Sequence, residues 1–184
     1  MYGLVNQAIR DMVVERFGAE AWADMRALTG AEELFLTMEQ YPDELTFSLV
    51  EAVCRLQGIE ADVVLQAFGE YWIDYVAKNY RELFAIAGGD FVTFVKNLNS
   101  LHTRVAQMMP ELQAPGFSIS DEQEGRFVLH YYSRRNGLQA MILGLFQGLG
   151  RRFATRVSLT YLEGKAEGLD HDCFQVEYSR HEGN

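Results

Sequence analysis

Residues 126–133 read Arg126-Phe127-Val128-Leu129-His130-Tyr131-Tyr132-Ser133. Phe127, Leu129 and Tyr131 fall on one face of this stretch and His130 on the other. A period of two with one apolar face marks a strand in an antiparallel sheet covered on one side. The pattern returns twice: in residues 155–162, where Val157, Leu159 and Tyr161 share a face, and in residues 173–179, where Phe174, Val176 and Tyr178 do. A weaker strand is expected near Phe117–Ser120, and a helix from about Leu138 to Phe146 or Leu149 interrupts the series.

Upstream the period is helical. Leu4, Val5, Ala8, Ile9, Met12 and Val13 form one stripe, and Gly18 and Gly30 punctuate the next short segments. Pro42-Asp43 opens a helix over about 43–57, with Asp43 and Glu44 suiting its first turn and Gly58 its end. Another helix is expected over about 61–78, and one more from about Asp90 to Met109, where Pro110 stops it. The fold class is therefore α+β: a helical N-terminal part packed on an antiparallel sheet with one long helix.

With 184 residues the chain is read as one domain, 1–184. A net charge of −10 disfavours nucleic acid and anionic membrane surfaces as partners. No apolar run is long enough to span a membrane, and the N-terminus lacks the features of a signal peptide. Cys54 and Cys173 give neither a disulfide framework nor metal-ligand spacing, so a reducing, cytoplasmic setting is expected.

Of four histidines, His171 and His181 lie in a polar C-terminal segment and His130 on a strand's polar face. Only His102 belongs to an amphipathic helical stripe, with Phe91, Phe94, Val95, Leu98, Leu101 and Val105. A buried neutral imidazole must satisfy both ring nitrogens. On helical position alone a core histidine bonded to backbone is favoured over a metal ligand. Tyr131, Ser133 and Arg135 then extend the apolar face of the 126–133 strand with a phenol, a hydroxyl and a guanidinium. This set suits an anionic group at a pocket's edge, and equally a solvated strand end.

Tyr131-x-Ser133-x-Arg135, preceded by a histidine on a helix, resembles the signature of the haem-nitric oxide/oxygen-binding (H-NOX) family. So do Met1-Tyr2-Gly3-Leu4-Val5-Asn6, Phe68-Gly69-Glu70-Tyr71-Trp72, Asn97-Leu98-x-x-Leu101-His102 and Leu143-Gly144-Leu145-x-x-Gly148. The resemblance runs along essentially the whole chain, and the N-terminus resembles cyanobacterial members in particular. It implies haem b held between the helical part and the sheet. His102 would be the iron ligand, and Tyr131, Ser133 and Arg135 would hold the propionates. Pro115 would press on the porphyrin. Val5, Ile9, Trp72, Val76, Met141 and Leu145 would line the distal side.

The resemblance further implies a sensor and not an enzyme, signalling to a partner such as a histidine kinase or a cyclic-dinucleotide enzyme. Some members hold dioxygen with a distal tyrosine. Here the corresponding stretch is Gln139-Ala140-Met141-Ile142, with no tyrosine, so nitric oxide and carbon monoxide are the expected ligands, against which the Trp72 indole N–H is a donor that would favour dioxygen. Some members also carry a structural zinc on several cysteines and a histidine. His171 and Cys173 alone do not complete a tetrahedral site, so no zinc is expected. Two other classes compete: a cofactor-free interaction module, in which His102 and Arg135 are structural, and a haem enzyme, which would need a distal acid–base group.

Overall fold

The stripe from Leu4 to Val13 becomes the start of α1 (Gly3–Thr29) in the computed structural model of the chain, which describes residues 1–180. Ala8, Ile9, Met12 and Val13 are buried along it. Gly18 breaks the helix at φ 88°, ψ 170°, a conformation open to glycine and costly for other residues. α2 (Asp43–Gln57) ends at Gly58 in the left-handed region, φ 64°, as its sequence predicts. Thr46 of α2 donates to the buried Asn6 Oδ1 of α1 at 2.6 Å, so a polar contact fixes the register of these two helices.

The chain divides into two compact units, Met1–Phe68 and a second that begins at Gly69. The boundary falls inside α3 (Ala61–Asn79). In the second unit α3 leads to α4 (Arg81–Ala87), a short helix the sequence reading left out. The helix expected from Asp90 to Met109 is two helices, α5 (Phe91–Lys96) and α6 (Leu98–Met108). Asn97 separates them at φ −94°, ψ 0°, and its amide donates to the Ala87 carbonyl at 2.9 Å. An asparagine that bonds backbone outside its own helix competes with helix continuation. The apolar stripe divides at the same point. Phe91, Phe94 and Val95 are fully buried, whereas Leu98, Leu101, His102 and Val105 are half-buried.

Four antiparallel strands complete the second unit: β1 (Gly116–Gln123), β2 (Arg126–Tyr132), β3 (Thr155–Glu163) and β4 (Asp172–Arg180), in the order β1-β2-β4-β3. Phe127, Leu129 and Tyr131 are buried as the alternation requires, and Leu129 pairs with Phe174 of β4. β3 is an edge strand, so its apolar face is less covered, although the Tyr161 ring still meets Phe174 edge-on at 5.6 Å. α7 (Gln139–Arg152) places Ile142, Phe146 and Leu149 in the same core as Phe127, Leu129 and Val176. Each such side chain contributes roughly 1.5–3 kcal/mol through burial.

Glycines set how near α3 comes to α7. A Cβ at Gly69 would collide with the Met141 carbonyl and lie 2.7 Å from the Leu145 nitrogen. One at Gly148 would lie 3.1 Å from the Ile73 side chain. The glycines of the Phe68-Gly69 and Leu143-Gly144-Leu145-x-x-Gly148 motifs therefore allow two helical backbones to touch, with Trp72 and Val76 on one and Leu145 on the other packed against the core.

Candidate functional site

α6 carries His102 against the loop that leads into β1. His102 Nδ1 lies 3.0 Å from the Pro115 carbonyl oxygen. A carbonyl only accepts, so the ring proton is on Nδ1 and the lone pair is on Nε2. Nε2 has no hydrogen-bond partner among the described residues. Burial holds the imidazole's pKa below its usual value, against the opposing effect of the Pro115 hydrogen bond, and this keeps the ring neutral. The Asn99 amide donates to the Phe117 carbonyl at 2.7 Å and its oxygen accepts from the Phe117 N–H at 2.9 Å. Asn99 thus ties α6 to β1 one helical turn before His102. The Phe117 ring lies 6.0 Å from the His102 ring and 5.5 Å from that of Tyr131. A neutral imidazole with its donor nitrogen anchored and its acceptor nitrogen bare fits an iron ligand.

β2 ends at Tyr132, so Ser133 and Arg135 are set by a turn and not by strand alternation. Tyr131 is buried, Ser133 and Arg135 are half-buried and Arg134 is exposed. The Arg135 N–H donates to Ser133 Oγ at 3.1 Å, and Arg135 Nη1 donates to the Gln113 carbonyl at 3.1 Å. Burial raises the Tyr131 phenol's pKa, while a hydrogen bond with Ser133 and the Arg135 charge lower it less, so the phenol keeps its proton at neutral pH. Residues 113–115 therefore touch both halves of the site: Pro115 holds His102 and Gln113 holds Arg135.

The sequence reading missed three supporting residues. Asn99 is one. Lys165 is another: Nζ donates to the Ser133 carbonyl, to the Arg135 carbonyl at 3.0 Å and to Asn136 Oδ1 at 3.2 Å, gripping the turn that carries Ser133 and Arg135. Its distance along the chain gives no local signal. The third is His130. The count of two metal-binding side chains near the C-terminus is corrected, because β2 pairs with β4 so that His130 opposes Cys173. His130, His171 and Cys173 then come together. The signal was available in the alternation, since His171 and Cys173 are two residues apart and His130 lies on the polar face of its own strand.

Among the expected distal residues, Trp72, Val76, Met141 and Leu145 are half-buried in the second unit, with Trp72 stacked on Tyr75 at 6.0 Å. Gln139 Nε2 donates to Asp172 Oδ2 at 3.3 Å, which engages the polar side chain of that stretch. Val5 and Ile9 belong to the first unit, half-buried and buried respectively. His181 lies outside the described residues. Cys54 and Cys173 are free thiols, and no helix among the described residues is long and apolar enough to cross a membrane.

A four-stranded antiparallel sheet packed with helices, with a bare imidazole nitrogen beside a phenol, a hydroxyl and a guanidinium, defines a helix-and-sheet domain suited to an acidic metal-bearing cofactor. The model of the haem-NO-binding family matches residues 2–161, and the chain belongs to that family. The solved H-NOX protein from S. oneidensis in its Fe(II)NO state superimposes with a TM-score of 0.88 at 21% identity, over 98% of this chain and 100% of that one. The unliganded Fe(II) H-NOX protein from K. algicida gives 0.84 at 17%, with complete coverage of both. Among curated proteins, soluble guanylate cyclase gcy-33 of Caenorhabditis elegans is 28% identical over 91% of this chain and 18% of its own length. Soluble guanylate cyclase gcy-35 of the same organism is 27% identical over 92% and 26%. This chain therefore spans about a fifth to a quarter of those relatives. It is a haem-binding, gas-sensing domain of the H-NOX type.

Proposed function

We propose that residues 1–184 act as one sensor domain that binds haem b, with His102 as the protein ligand to iron and Tyr131, Ser133 and Arg135 on the propionates. The reading is carried by His102, whose Nδ1 is committed to Pro115 while Nε2 is bare. Arg135 supplies the positive charge and Tyr131 and Ser133 supply hydroxyl donors; a neutral phenol donates to a carboxylate where a phenolate could not. Pro115 would serve twice: its carbonyl orients His102, and its ring would pack on the bound cofactor. The bound cofactor supplies a ferrous iron that takes up a diatomic gas.

Trp72, Val76, Met141 and Leu145 offer an apolar distal wall within the second unit. With Gln139 engaged by Asp172, that wall favours nitric oxide and carbon monoxide over dioxygen. His102 is also the point of release. Attached to iron, it would hold α6; released, it would leave α6 tethered to β1 through Asn99 and free to shift. A partner that binds one arrangement of α6 more tightly than the other reads the gas. The partner is a signalling protein such as a histidine kinase, a cyclic-dinucleotide enzyme or a cyclase, and the domain itself senses without catalysing. The two free thiols suit a reducing, cytoplasmic setting.

Spectra of the ferrous protein with each gas test this reading. Carbon monoxide is expected to give a six-coordinate iron with His102 attached, and nitric oxide a five-coordinate iron with His102 released. Retention of His102 in both would rule out release as the signal.

A further inference from the structure

On the face of β2 opposite Leu129 and Tyr131, three ligand atoms converge: His130 Nδ1 lies 2.9 Å from His171 Nε2, and Cys173 Sγ lies 3.4 Å from the first and 3.3 Å from the second. Hydrogen bonds on the outer side of the cluster place two of its ring protons. His171 Nδ1 is 2.5 Å from Asp170 Oδ1, and a carboxylate only accepts, so that nitrogen carries the proton and Nε2 carries a lone pair. His130 Nε2 is 2.8 Å from Ser120 Oγ, whose own proton goes to Asp121 Oδ2 at 3.0 Å. Ser120 therefore accepts from His130 Nε2, and His130 Nδ1 is also a lone pair. Unless a further proton or a cation lies between them, the lone pairs of His130 Nδ1 and His171 Nε2 face each other, and the single Cys173 thiol proton can satisfy only one.

We propose that His130, His171 and Cys173 bind a zinc-class divalent cation, with solvent in the fourth position. A tetrahedral zinc with bonds of about 2.0–2.1 Å to nitrogen and about 2.3 Å to sulfur separates its ligand atoms by about 3.3 Å between nitrogens and about 3.6 Å between nitrogen and sulfur. The observed separations are shorter by a few tenths of an ångström, so closing around an ion needs only a slight spreading. The outer contacts are those a metal site requires. Asp170 and Ser120 each hold the ring nitrogen that does not face the ion, which fixes both tautomers. The Tyr132 ring stacks on His171 at 4.4 Å. Glu163, Asp172 and Asp170 lie near the Cys173 thiol, whose proton leaves when a cation binds. The same carboxylates give the site a negative potential. This set, with one histidine drawn from β2 beside Tyr131, differs from a cysteine-rich C-terminal zinc site.

The test uses the full chain carrying its haem, freed of other metal by chelator and titrated with zinc and, separately, with cobalt(II). Zinc is expected to bind at about one per chain by elemental analysis. Cobalt is expected to show a thiolate-to-metal charge-transfer band. Cys173→Ala and His130→Ala should lose the band and weaken zinc binding at least tenfold, while Cys54→Ala should keep both. The cobalt spectrum of the unaltered chain needs no variant and stands even if His130→Ala fails to fold. No zinc uptake, a cobalt spectrum without the thiolate band, or a Cys173→Ala chain that binds zinc as tightly as the parent would overturn the proposal.

Discussion

His102 owes its fitness for iron to the location of one proton. The Pro115 carbonyl takes the Nδ1–H, and the lone pair is left on Nε2. Helical spacing puts His102 on the apolar stripe but does not give its tautomer, because Pro115 lies beyond the end of the helix and only the loop before β1 returns it to the ring. Arg135 carries a separable prediction. Replacing it with alanine removes a charge-assisted hydrogen bond worth about 1.5–3 kcal/mol, or roughly ten- to a hundredfold in haem retention. Arg134→Ala, at an exposed position, should change retention little. Haem transfer to excess apomyoglobin measures both, and equal losses would contradict the role given to Arg135. Tyr131 was legible from alternation because it is still inside β2. Ser133 and Arg135 were legible as neighbours but not in their final setting, since the strand ends before them and Lys165 fixes the turn from far along the chain.

Asp90 shows how an element depends on its first residue. It caps α5 by accepting from the Thr93 N–H at 3.0 Å and the Thr93 hydroxyl at 2.7 Å, and these contacts hold its carboxyl below the usual aspartate range. Asp90→Ala should cost about 1 kcal/mol at neutral pH. Because the folded pKa is depressed, the unfolded chain takes up the proton first. The contribution is complete above the ordinary aspartate value of about 3.9 and is lost as pH falls through the lower folded value. Urea midpoints of the two proteins should therefore converge on acidification, and a constant gap would deny the carboxylate its part in the cap. Gly69 sets the α3–α7 contact. Gly69→Ala should destabilise the fold by about 1–3 kcal/mol, read from the same denaturation midpoints, because the new methyl meets helix backbone and not a side chain that could rotate away. Long periodic stretches such as α2 and β2 were readable from sequence. The break at Asn97 was not, because the apolar period runs through it and the competing acceptor, the Ala87 carbonyl, belongs to α4.

The helical first unit and the sheet-bearing second unit each have their own buried residues, and the groups suited to iron and propionates all lie in the second. The gas-sensing reading therefore rests first on whether His102 is the bond between protein and iron. If it is, the roles of its neighbours are set by that contact: Pro115 as its anchor, Asn99 as the tether of its helix, Arg135 as the cation bonded to Gln113 of the same loop. If the chain were a cofactor-free module, the purified protein would lack a haem Soret band altogether. The most direct measurement is the spectrum of ferrous His102→Gly protein, recorded with and without added imidazole. The expected result is loss of the histidine–iron vibration and of most bound haem in the variant, with both restored by imidazole. A variant whose haem content and iron–histidine vibration match those of the unaltered chain would show that His102 is not the ligand.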